Sequence, residues 1–585
     1  MQLILKKRRK RPLAFKIITA FFLFAIIVAF SLSVIFFNTA KIEKIALKFS
    51  SEINKPLCSQ KGGFYEQPFA VYLHSDSPDV VIYYSLDGSA PGLSSQIYKH
   101  PVIINDPQGG EENDLSMIPT SPRWKPPIGK PKHAIVLRAI AVDKKNNKSA
   151  ELTRTFFIGQ KQPSFPVFAL TINKNDFFGY KNGIYVLGKS YGDKDNYIRK
   201  NIPLNLPWWE YPSNYLSRGD ESERNIHVEF FDNDGNPGFD SDAGVRINGN
   251  ATRGYAQKSL RICFREKYGI NSISYDLFNE GKKHTFNSFL LRNSGNDWDK
   301  TMFRDGLMQS LMKDTHVEIQ KDRDAIVYLN GEYWGIHNIR ERFDENYLVN
   351  KYNISADSIA ILELNGLISF GKKADADEFM KLLDFVKKND LSDDNNYNYV
   401  LSKIDVESFS DFLIANIYFC NSDWPNNNVK FWHYKGGTDP GRCANPRDGR
   451  WRWMLYDMDW GFGYNSMSTP DNNLLPKATS TGSVGVLFKA LIKNKLFRDQ
   501  FLSRYNYFMN TIFSSSYLMK KIDSTQKVMD PVIKDHLDRW RVIGTYNDWL
   551  NNVQVLRDFA AKRRKFQIDQ LNDFFKLKGK ERLSL

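Results

Sequence analysis

Two runs of sequence decide how this chain folds: FCNSDWPNNN at residues 419–428 and WRWMLYDMDWG at residues 451–461. The first run contains a lone carboxylate, Asp423, and an amide, Asn428, five residues after it. The second run is aromatic and strand-like, and it ends in two carboxylates, Asp457 and Asp459. Hard divalent cations prefer oxygen ligands of these kinds. The two runs therefore predict a metal site, although each taken alone also fits an ordinary turn or strand end.

The same residue types are those that phosphoryl transfer requires. One Asp accepts the proton of the attacking hydroxyl, an Asn shortly after it helps to hold a metal, and an Asp beyond a strand holds metal against the phosphates. Asp423, Asn428 and the Asp457/Asp459 pair supply these parts in that order. Spacing alone is a weak signal, so the function depends on what the rest of the chain contains.

Composition excludes several classes of protein. A chain of 585 residues with 42% hydrophobic and 14% aromatic residues predicts two or three globular domains and excludes a disordered protein. The net charge of +15 is concentrated at residues 6–11 and otherwise scattered among acids, so we expect no nucleic-acid partner. The four cysteines do not form a disulfide framework, and no Cys or His grouping has the spacing of a zinc site.

The N-terminus predicts a membrane anchor. Residues 17–37 carry no charge and are mainly apolar, which is long enough for a helix to cross a bilayer. The basic tail, residues 1–16, would lie in the cytoplasm. We therefore predict a single-pass cell-membrane protein with a spacer at 38–60 and its bulk outside the cytoplasm. A cleaved signal peptide is the competing interpretation, with an unusually long apolar core.

Residues 61–158 predict a small β-sandwich. Strand-like runs at 71–73, 80–84, 136–142 and 152–158 are separated by turn signals such as Asp87-Gly88. The segment 106–132 is rich in Pro, Gly and acids, and we expect it to be a long surface loop.

This unit resembles the small C-terminal sandwich of chitobiase and β-hexosaminidase-type proteins, on residues 63–65, 82–91 and 138–139. In that family it is an accessory module of extracytoplasmic proteins. The resemblance implies no catalysis, and the sandwich is either a spacer or a module that contacts glycans.

Residues 160–585 predict an α+β domain of two lobes. A β-rich lobe at about 225–345 contains strand runs and an Asn330-Gly331 hairpin turn. A helical lobe at about 375–575 contains runs with helix-period apolar residues at 379–386, 409–419, 486–492, 497–513 and 553–575. A further helix is predicted at 301–312. The loop from Asp232 to Asp234 lacks the later Gly and Glu of a calcium loop and predicts a hairpin turn.

Residues 225–570 resemble the CotH-type spore-coat kinase family, whose members are atypical protein kinases. The resemblance rests on blocks that follow one another in the family's order: 244–249, 253, 258–259, 291–293, 296–298, 304–305, 329–335, 340–342, 421–428 and 451–459. Several ordered blocks are more specific than any single motif, so the resemblance implies the fold of this family for most of the domain.

The resemblance implies roles for individual residues. Asp423 would be the catalytic base. Mg²⁺ or Mn²⁺ would be held by Asn428, Asp457 and Asp459, and ATP by Lys258 with Arg246, Arg253 and Glu341. Arg304 is either a pocket residue or a structural ion-pair partner. No glycine-rich loop precedes Lys258, so the phosphates would be held differently than in ordinary kinases.

We thus predict a multidomain protein with an N-terminal transmembrane helix, a small all-β sandwich and an α+β two-lobed domain like that of atypical protein kinases. The predicted function is transfer of the γ-phosphoryl group of ATP to Ser or Thr of surface or secreted proteins. ATP is scarce outside the cytoplasm, which keeps two alternatives open. One is a non-catalytic adhesion or scaffold protein whose sandwich binds glycans, and the other is nucleotide-dependent transfer of a different group.

Overall fold

The computed structural model describes residues 53–106, 115–192, 206–436 and 446–584. No helix within these ranges is both long enough and apolar enough to span a bilayer. The two longest helices have 26 and 29 residues, but each is rich in charged side chains. The prediction of a transmembrane helix in the fold is therefore corrected: the described fold is a β-sandwich followed by an α+β domain. The predicted span at 17–37 lies outside the described residues.

The first unit is a sandwich of short strands. Its central sheet has the order β2-β9-β8-β5-β6, and β3 pairs with β7 and β1 with β4. Buried apolar side chains such as Val71, Leu137 and Phe156 fill the space between these sheets. The strands are β1 Leu57–Cys58, β2 Gly63–Tyr65, β3 Phe69–Val71, β4 Leu73–His74, β5 Val80–Ser85, β6 Gln96–Ile97, β7 Val102–Ile104, β8 Ile135–Asp143 and β9 Leu152–Ile158.

Residues 115–134, which we call the docking segment, lie between β7 and β8 of the sandwich and contact the second unit. The backbone N–H groups of Leu115 and Ser116 donate to the carboxylate of Glu332 at 2.7 and 2.8 Å. The Thr120 hydroxyl donates to the carbonyl of Ala256 at 2.8 Å. Leu115 and Ser116 are buried, so the prediction of a surface loop is wrong for this part of 106–132.

The second unit begins with a closed β-barrel. Its strand order is β10-β11-β12-β13-β16-β19-β18, and the parallel pairing of β10 with β18 closes it. The barrel starts at Val167, well before the predicted boundary at about 225. The elements from 167 to 340 are β10 Val167–Ile172, α1 Lys174–Phe178, α2 Gly188–Tyr191, β11 Arg224–Phe231, β12 Pro237–Asn248, β13 Ser259–Cys263, β14 Ile273–Tyr275, β15 His284–Phe286, β16 Ser288–Arg292, α3 Arg304–Leu311, β17 Glu318–Ile319, β18 Asp322–Leu329 and β19 Glu332–Arg340. Of these, β14 and β15 pair with each other outside the barrel, and β17 belongs to the sheet of the helical lobe.

Local sequence explains several of the barrel's turns. Asn330 and Gly331 both have positive φ, 47° and 84°, as a type I′ hairpin between β18 and β19 requires. Residues 232–236 form the tight turn between β11 and β12, where Asp232 Oδ1 accepts from the N–H groups of Asp234 and Asn236. This turn is a hairpin end, as the missing calcium-loop residues indicate.

The last part of the chain is a helical lobe around a second sheet of order β17-β23-β22-β20-β21. Its elements are α4 Glu345–Tyr352, β20 Ile359–Glu363, β21 Leu367–Phe370, α5 Lys373–Lys388, α6 Asp394–Leu401, α7 Val406–Tyr418, β22 Lys430–Tyr434, β23 Arg452–Leu455, α8 Leu475–Ala478, α9 Gly482–Leu491, α10 Lys495–Asn510, α11 Ser515–Trp540 and α12 Tyr546–Phe574. Helix α7 is buried along its length and begins at an N-cap, Asp405, that accepts from Ser408 N. It therefore fixes the run at 419–428 that follows it.

Candidate active site

The two decisive runs meet at one amide. Asn428 Nδ2 donates to Asp423 Oδ2 at 3.0 Å and to the backbone carbonyl of Asp457 at 3.2 Å. Asn428 and Asp457 both have left-handed backbones, with φ of 59° and 56°. Such conformations cost energy in residues with a side chain, and they concentrate at functional sites. The loop after α7 and the loop after β23 thus form one site.

Asp423 lies at the open side of this site. Its side chain is half-buried, and its second oxygen accepts from Asn427 Nδ2 at 2.8 Å. Lys477 lies beside it and donates from Nζ to the carbonyl of Ser422 at 2.9 Å. Lys477 is a cation near Asp423 that sequence reasoning missed, because α8 lies about fifty residues further along the chain.

Asp457 and Asp459 share one arginine. Arg292, at the end of β16, donates from Nη2 to Asp457 Oδ1 and to Asp459 Oδ2, the latter at 2.7 Å. Asn296 also donates to Asp459, from its backbone N–H at 2.8 Å. The Asp459 side chain is fully buried, whereas the Asp457 side chain is 41% exposed. Burial and the neighbouring charge of Asp457 raise the pKa of Asp459 to about 8. A bound cation would lower it again.

Asp305 forms the layer behind these carboxylates. Its Oδ2 lies 2.7 Å from Arg292 Nη1 and 2.9 Å from Arg340 Nη1, and its Oδ1 accepts from Met458 N at 2.9 Å. Burial alone would raise the pKa of Asp305, but Arg340 and Arg292 hold it below its usual value. Helix α3 and the barrel therefore fix the position of the loop that carries Asp457 and Asp459.

Lys258 does not reach the carboxylates. Its side chain is fully buried, and Nζ donates to three backbone carbonyls: Arg253 at 2.7 Å, Tyr255 at 2.8 Å and Thr120 at 3.0 Å. Burial lowers the pKa of Lys258 well below its usual value. A lysine with three carbonyl partners has no N–H left for a phosphate.

Arg246 and Arg253 also lie away from Asp457. Arg253 is buried and donates to four backbone carbonyls: those of Tyr215, Ser217, Ile247 and Gly249. Arg246 binds Glu223 at 2.7 Å and also Asp220, on the outer side of β12. Arg304 is buried, and its Nε lies 2.9 Å from Asp297 Oδ1. Of the two roles considered for Arg304, the structure thus favours the structural ion pair.

Glu341 lines a cavity beside the connection between the lobes. The cavity has a volume of about 740 Å³, and its wall includes Lys321, Arg342, Asp344 and Ser288. Glu341 accepts from Lys321 N at 3.0 Å. Burial raises the pKa of Glu341 to about 7. Of the four residues predicted to bind the nucleotide, Glu341 lines this cavity.

The donors present fit a magnesium or manganese ion held jointly with a nucleotide. Among the described residues, no three His, Cys, Asp or Glu side chains are arranged as a closed metal site. Mg²⁺ is usually bound through one or two carboxylates together with substrate phosphates, which needs no such cage. The exposed carboxylate of Asp457 and the amide of Asn428 supply oxygens of this kind.

Comparison with known families gives two matches. The family model described as CotH kinase protein matches residues 245–567, which is more than half of the chain. The model described as Fn3 associated matches residues 71–156, within the sandwich. No curated protein matches the chain.

Proposed function

Because the chain belongs to the CotH kinase protein family, we propose that it transfers the γ-phosphoryl group of ATP to Ser or Thr hydroxyls of a protein. The family resemblance drawn from the ordered sequence blocks is confirmed by this match, and the chitobiase-like description of the sandwich agrees loosely with the Fn3-associated match. The observation that carries the proposal is the amide of Asn428, which links the carboxylate of Asp423 to the backbone of Asp457.

In the proposed reaction Asp423 accepts the proton of the acceptor hydroxyl. The amides of Asn427 and Asn428 each donate to one of its oxygens, so the carboxylate is held in one orientation. A base must be positioned within hydrogen-bond distance of the proton that it removes. Lys477, beside Asp423, brings positive charge to the place where the phosphoryl group would pass.

Asp457 and Asn428 would hold Mg²⁺ or Mn²⁺, with Asp459 behind them. When bound, the metal neutralises charge on the phosphates of the nucleotide. Arg292 balances the two carboxylates from the barrel side and leaves Asp457 open to the cleft. The family resemblance suggests ATP as the nucleotide.

The location of the acceptors belongs to the same proposal. The sequence predicts that residues after about 40 lie outside the cytoplasm, so the acceptors would be surface or secreted proteins. Labelling of intact cells with a reagent that does not cross the membrane tests this. We expect lysines of the kinase domain to react in intact cells, and protection until lysis would contradict the prediction.

The experiment for the activity compares full-length wild type with Asp423→Asn. Each is incubated with γ-labelled ATP, Mg²⁺ or Mn²⁺, and a Ser/Thr-rich peptide. We expect transfer by the wild type and loss of transfer in Asp423→Asn. Asp499→Asn is the matched control, since Asp499 is an exposed residue of α10 paired only locally with Lys495. No transfer and no stabilisation by ATP in the wild type would overturn the proposal.

The ion pairs of Arg292 favour a second candidate function, that of a non-catalytic scaffold. This arginine already pairs with Asp457 and Asp459, at the place where a metal ion would bind in an enzyme. A non-catalytic scaffold that keeps the kinase fold would retain this ion pair. Thermal stability that does not respond to ATP and Mg²⁺, together with absence of transfer, would support the scaffold.

A further inference from the structure

One outer face of the barrel carries three arginines in a row across neighbouring strands. Arg246 of β12 is paired with Arg261 of β13, which is paired with Leu290 of β16, and Leu290 with Arg340 of β19. Side chains alternate between the two faces of a strand. Because Leu260 and Ile262 point into the barrel core, Arg261 points outward, on the side where Asp344 precedes α4.

Arg261 differs from Arg340 in its distance to a carboxylate: Nη1 and Nε of Arg340 lie 2.9 and 2.8 Å from Asp305 and Asp322, and Arg261 has no carboxylate that close among the described residues. Its Nε is buried without a hydrogen-bond partner. The nearest carboxylate, Asp344, is 3.9 Å from its Nη2. That carboxylate is already bound by Arg342 and accepts from Tyr347 N at 3.2 Å. Arg246, by contrast, binds Glu223 and Asp220. A buried donor without a partner costs free energy, so this guanidinium is suited to an anion.

The position of Arg261 lies between the cavity and the carboxylates. Ser288 lines the cavity and is paired with Cys263, two residues along β13 from Arg261. Arg292, which holds Asp457 and Asp459, is two residues beyond Leu290 in the opposite direction. Two residues of a strand span about 7 Å. Measured along the strand direction, Arg261 therefore lies about 7 Å from the position of Ser288 and about 7 Å from that of Arg292. A nucleotide with its base in the cavity and its γ-phosphate at Asp457 would pass this side chain.

We propose that Arg261 binds the polyphosphate of the nucleotide, the role that the family resemblance gives to Lys258. The inference rests on the proposed kinase function. Lys258 is occupied by three carbonyls, whereas Arg261 is a guanidinium with a buried, unfilled N–H on the outer face of the barrel. Arg342 lies near Arg261 and adds a second positive charge beside it. Guanidinium groups recognise phosphate oxygens through paired N–H donors.

The test measures equilibrium binding of ADP and of adenosine to the full-length protein in Mg²⁺. We expect wild type to bind ADP more tightly than adenosine. Arg261→Ala should weaken ADP binding by about 10- to 100-fold and leave adenosine binding unchanged, because the lost interaction is a charge-assisted hydrogen bond. Arg261→Lys keeps the positive charge but loses the paired N–H donors. Its affinity for ADP should therefore lie between those of wild type and Arg261→Ala.

The control is Arg557→Ala. The Arg557 side chain is 24% exposed, close to the 21% of Arg261, and it pairs with Asp523 between α11 and α12. We expect wild-type binding of both ligands in this variant. ADP binding by Arg261→Ala and Arg261→Lys equal to that of wild type overturns the inference alone. A wild type that binds neither ligand overturns the proposed kinase function together with it.

Discussion

Arg292 Nη2 lies 2.7 Å from Asp459 Oδ2, which joins the end of a barrel strand to the loop after β23. The same guanidinium binds Asp457 and Asp305, so one largely buried arginine pairs with three carboxylates from two elements, helix α3 and the loop after β23. Asp305 and Asp459 are almost fully shielded from water. The two lobes are therefore held together at the candidate site by charge as well as by apolar packing.

Replacement of Arg292 should destabilise the protein. Arg292→Met leaves Asp459 buried without its counter-ion and Asp305 with Arg340 alone, and removal of one partner of a buried pair typically costs about 3–5 kcal/mol. Urea unfolding measures the loss. Added Mg²⁺ should recover part of it in the variant and have a smaller effect in wild type, since the metal replaces the missing positive charge. Arg557→Met, at a partly exposed ion pair, should lower stability by no more than about 1 kcal/mol. Equal unfolding midpoints for Arg292→Met and wild type would contradict this account.

The two asparagines next to Asp423 should differ in their effect on metal use. The side-chain amide of Asn427 donates to Asp423 Oδ1, whereas that of Asn428 donates to Asp423 Oδ2 and also reaches the carbonyl of Asp457. Asn428→Ala should raise the Mg²⁺ concentration needed for half-maximal transfer by about 10- to 100-fold. Asn427→Ala, the matched variant, should change it by no more than a few fold. Similar Mg²⁺ curves for both variants would refute the bridging role of Asn428.

The barrel should lose stability at alkaline pH, because His227 of β11 pairs with two carboxylates of β12. Burial alone would lower the pKa of His227, but hydrogen bonds to Asp240 and Asp242 raise it to about 9 from 6.5. The buried Glu229 also faces it. A raised pKa in the folded state gives stability that is complete below pH 6.5 and is lost as the pH rises to about 9.

The size of this effect is about 2 kcal/mol, since the partner carboxylates are partly exposed to solvent. Unfolding free energy measured from pH 6 to pH 9.5 should fall by this amount in wild type and by less in His227→Asn. His74→Asn, which changes an exposed histidine paired with Asp76, should follow wild type. A decline of the same size in His227→Asn would show that another group is responsible.

The docking segment should depend on Glu332. This carboxylate is almost fully buried and accepts the N–H groups of Leu115 and Ser116. Glu332→Ala would leave both donors without a partner and lower stability by about 2–4 kcal/mol. Limited proteolysis should then cut within 115–134. Glu378→Ala, at an exposed pair with Lys403, should leave both stability and cleavage unchanged. Resistance to proteolysis in Glu332→Ala would contradict this prediction.

Local signals predicted the parts of the fold that local chemistry determines. The Asn330-Gly331 turn is present because few other residue pairs accept two positive φ values, and the helix predicted at 301–312 is observed as Arg304–Leu311. Helix α11 was not predicted. Pro531 lies inside it, and its apolar face becomes evident only where it packs against the barrel and α12.

In the candidate site, too, the contacts within one loop were predictable from the sequence, and those between distant parts of the chain were not. Asp423 and Asn428 are five residues apart, so their contact follows from one loop. Arg292 and Lys477 lie far from them in sequence, and only the closed barrel and the helical lobe bring them near. Lys258 illustrates the opposite case, because the carbonyl of Thr120 that helps to bind it comes from a different unit. Long-range ion pairs have no periodicity that a sequence pattern reveals.

The hydrogen bond from Lys258 to the carbonyl of Thr120 has a consequence for inheritance. The Fn3-associated match ends at residue 156, and the CotH kinase match begins at residue 245. By these matches alone the chain would consist of two exchangeable modules. Recombination that replaced the first module alone would remove an acceptor from a buried ammonium group in the second. Relatives with the second module and no Fn3-associated unit must therefore supply that acceptor from elsewhere, or have a different residue at the position of Lys258. In this chain the module that carries Lys258 therefore depends on the other module for one acceptor of a buried ammonium group.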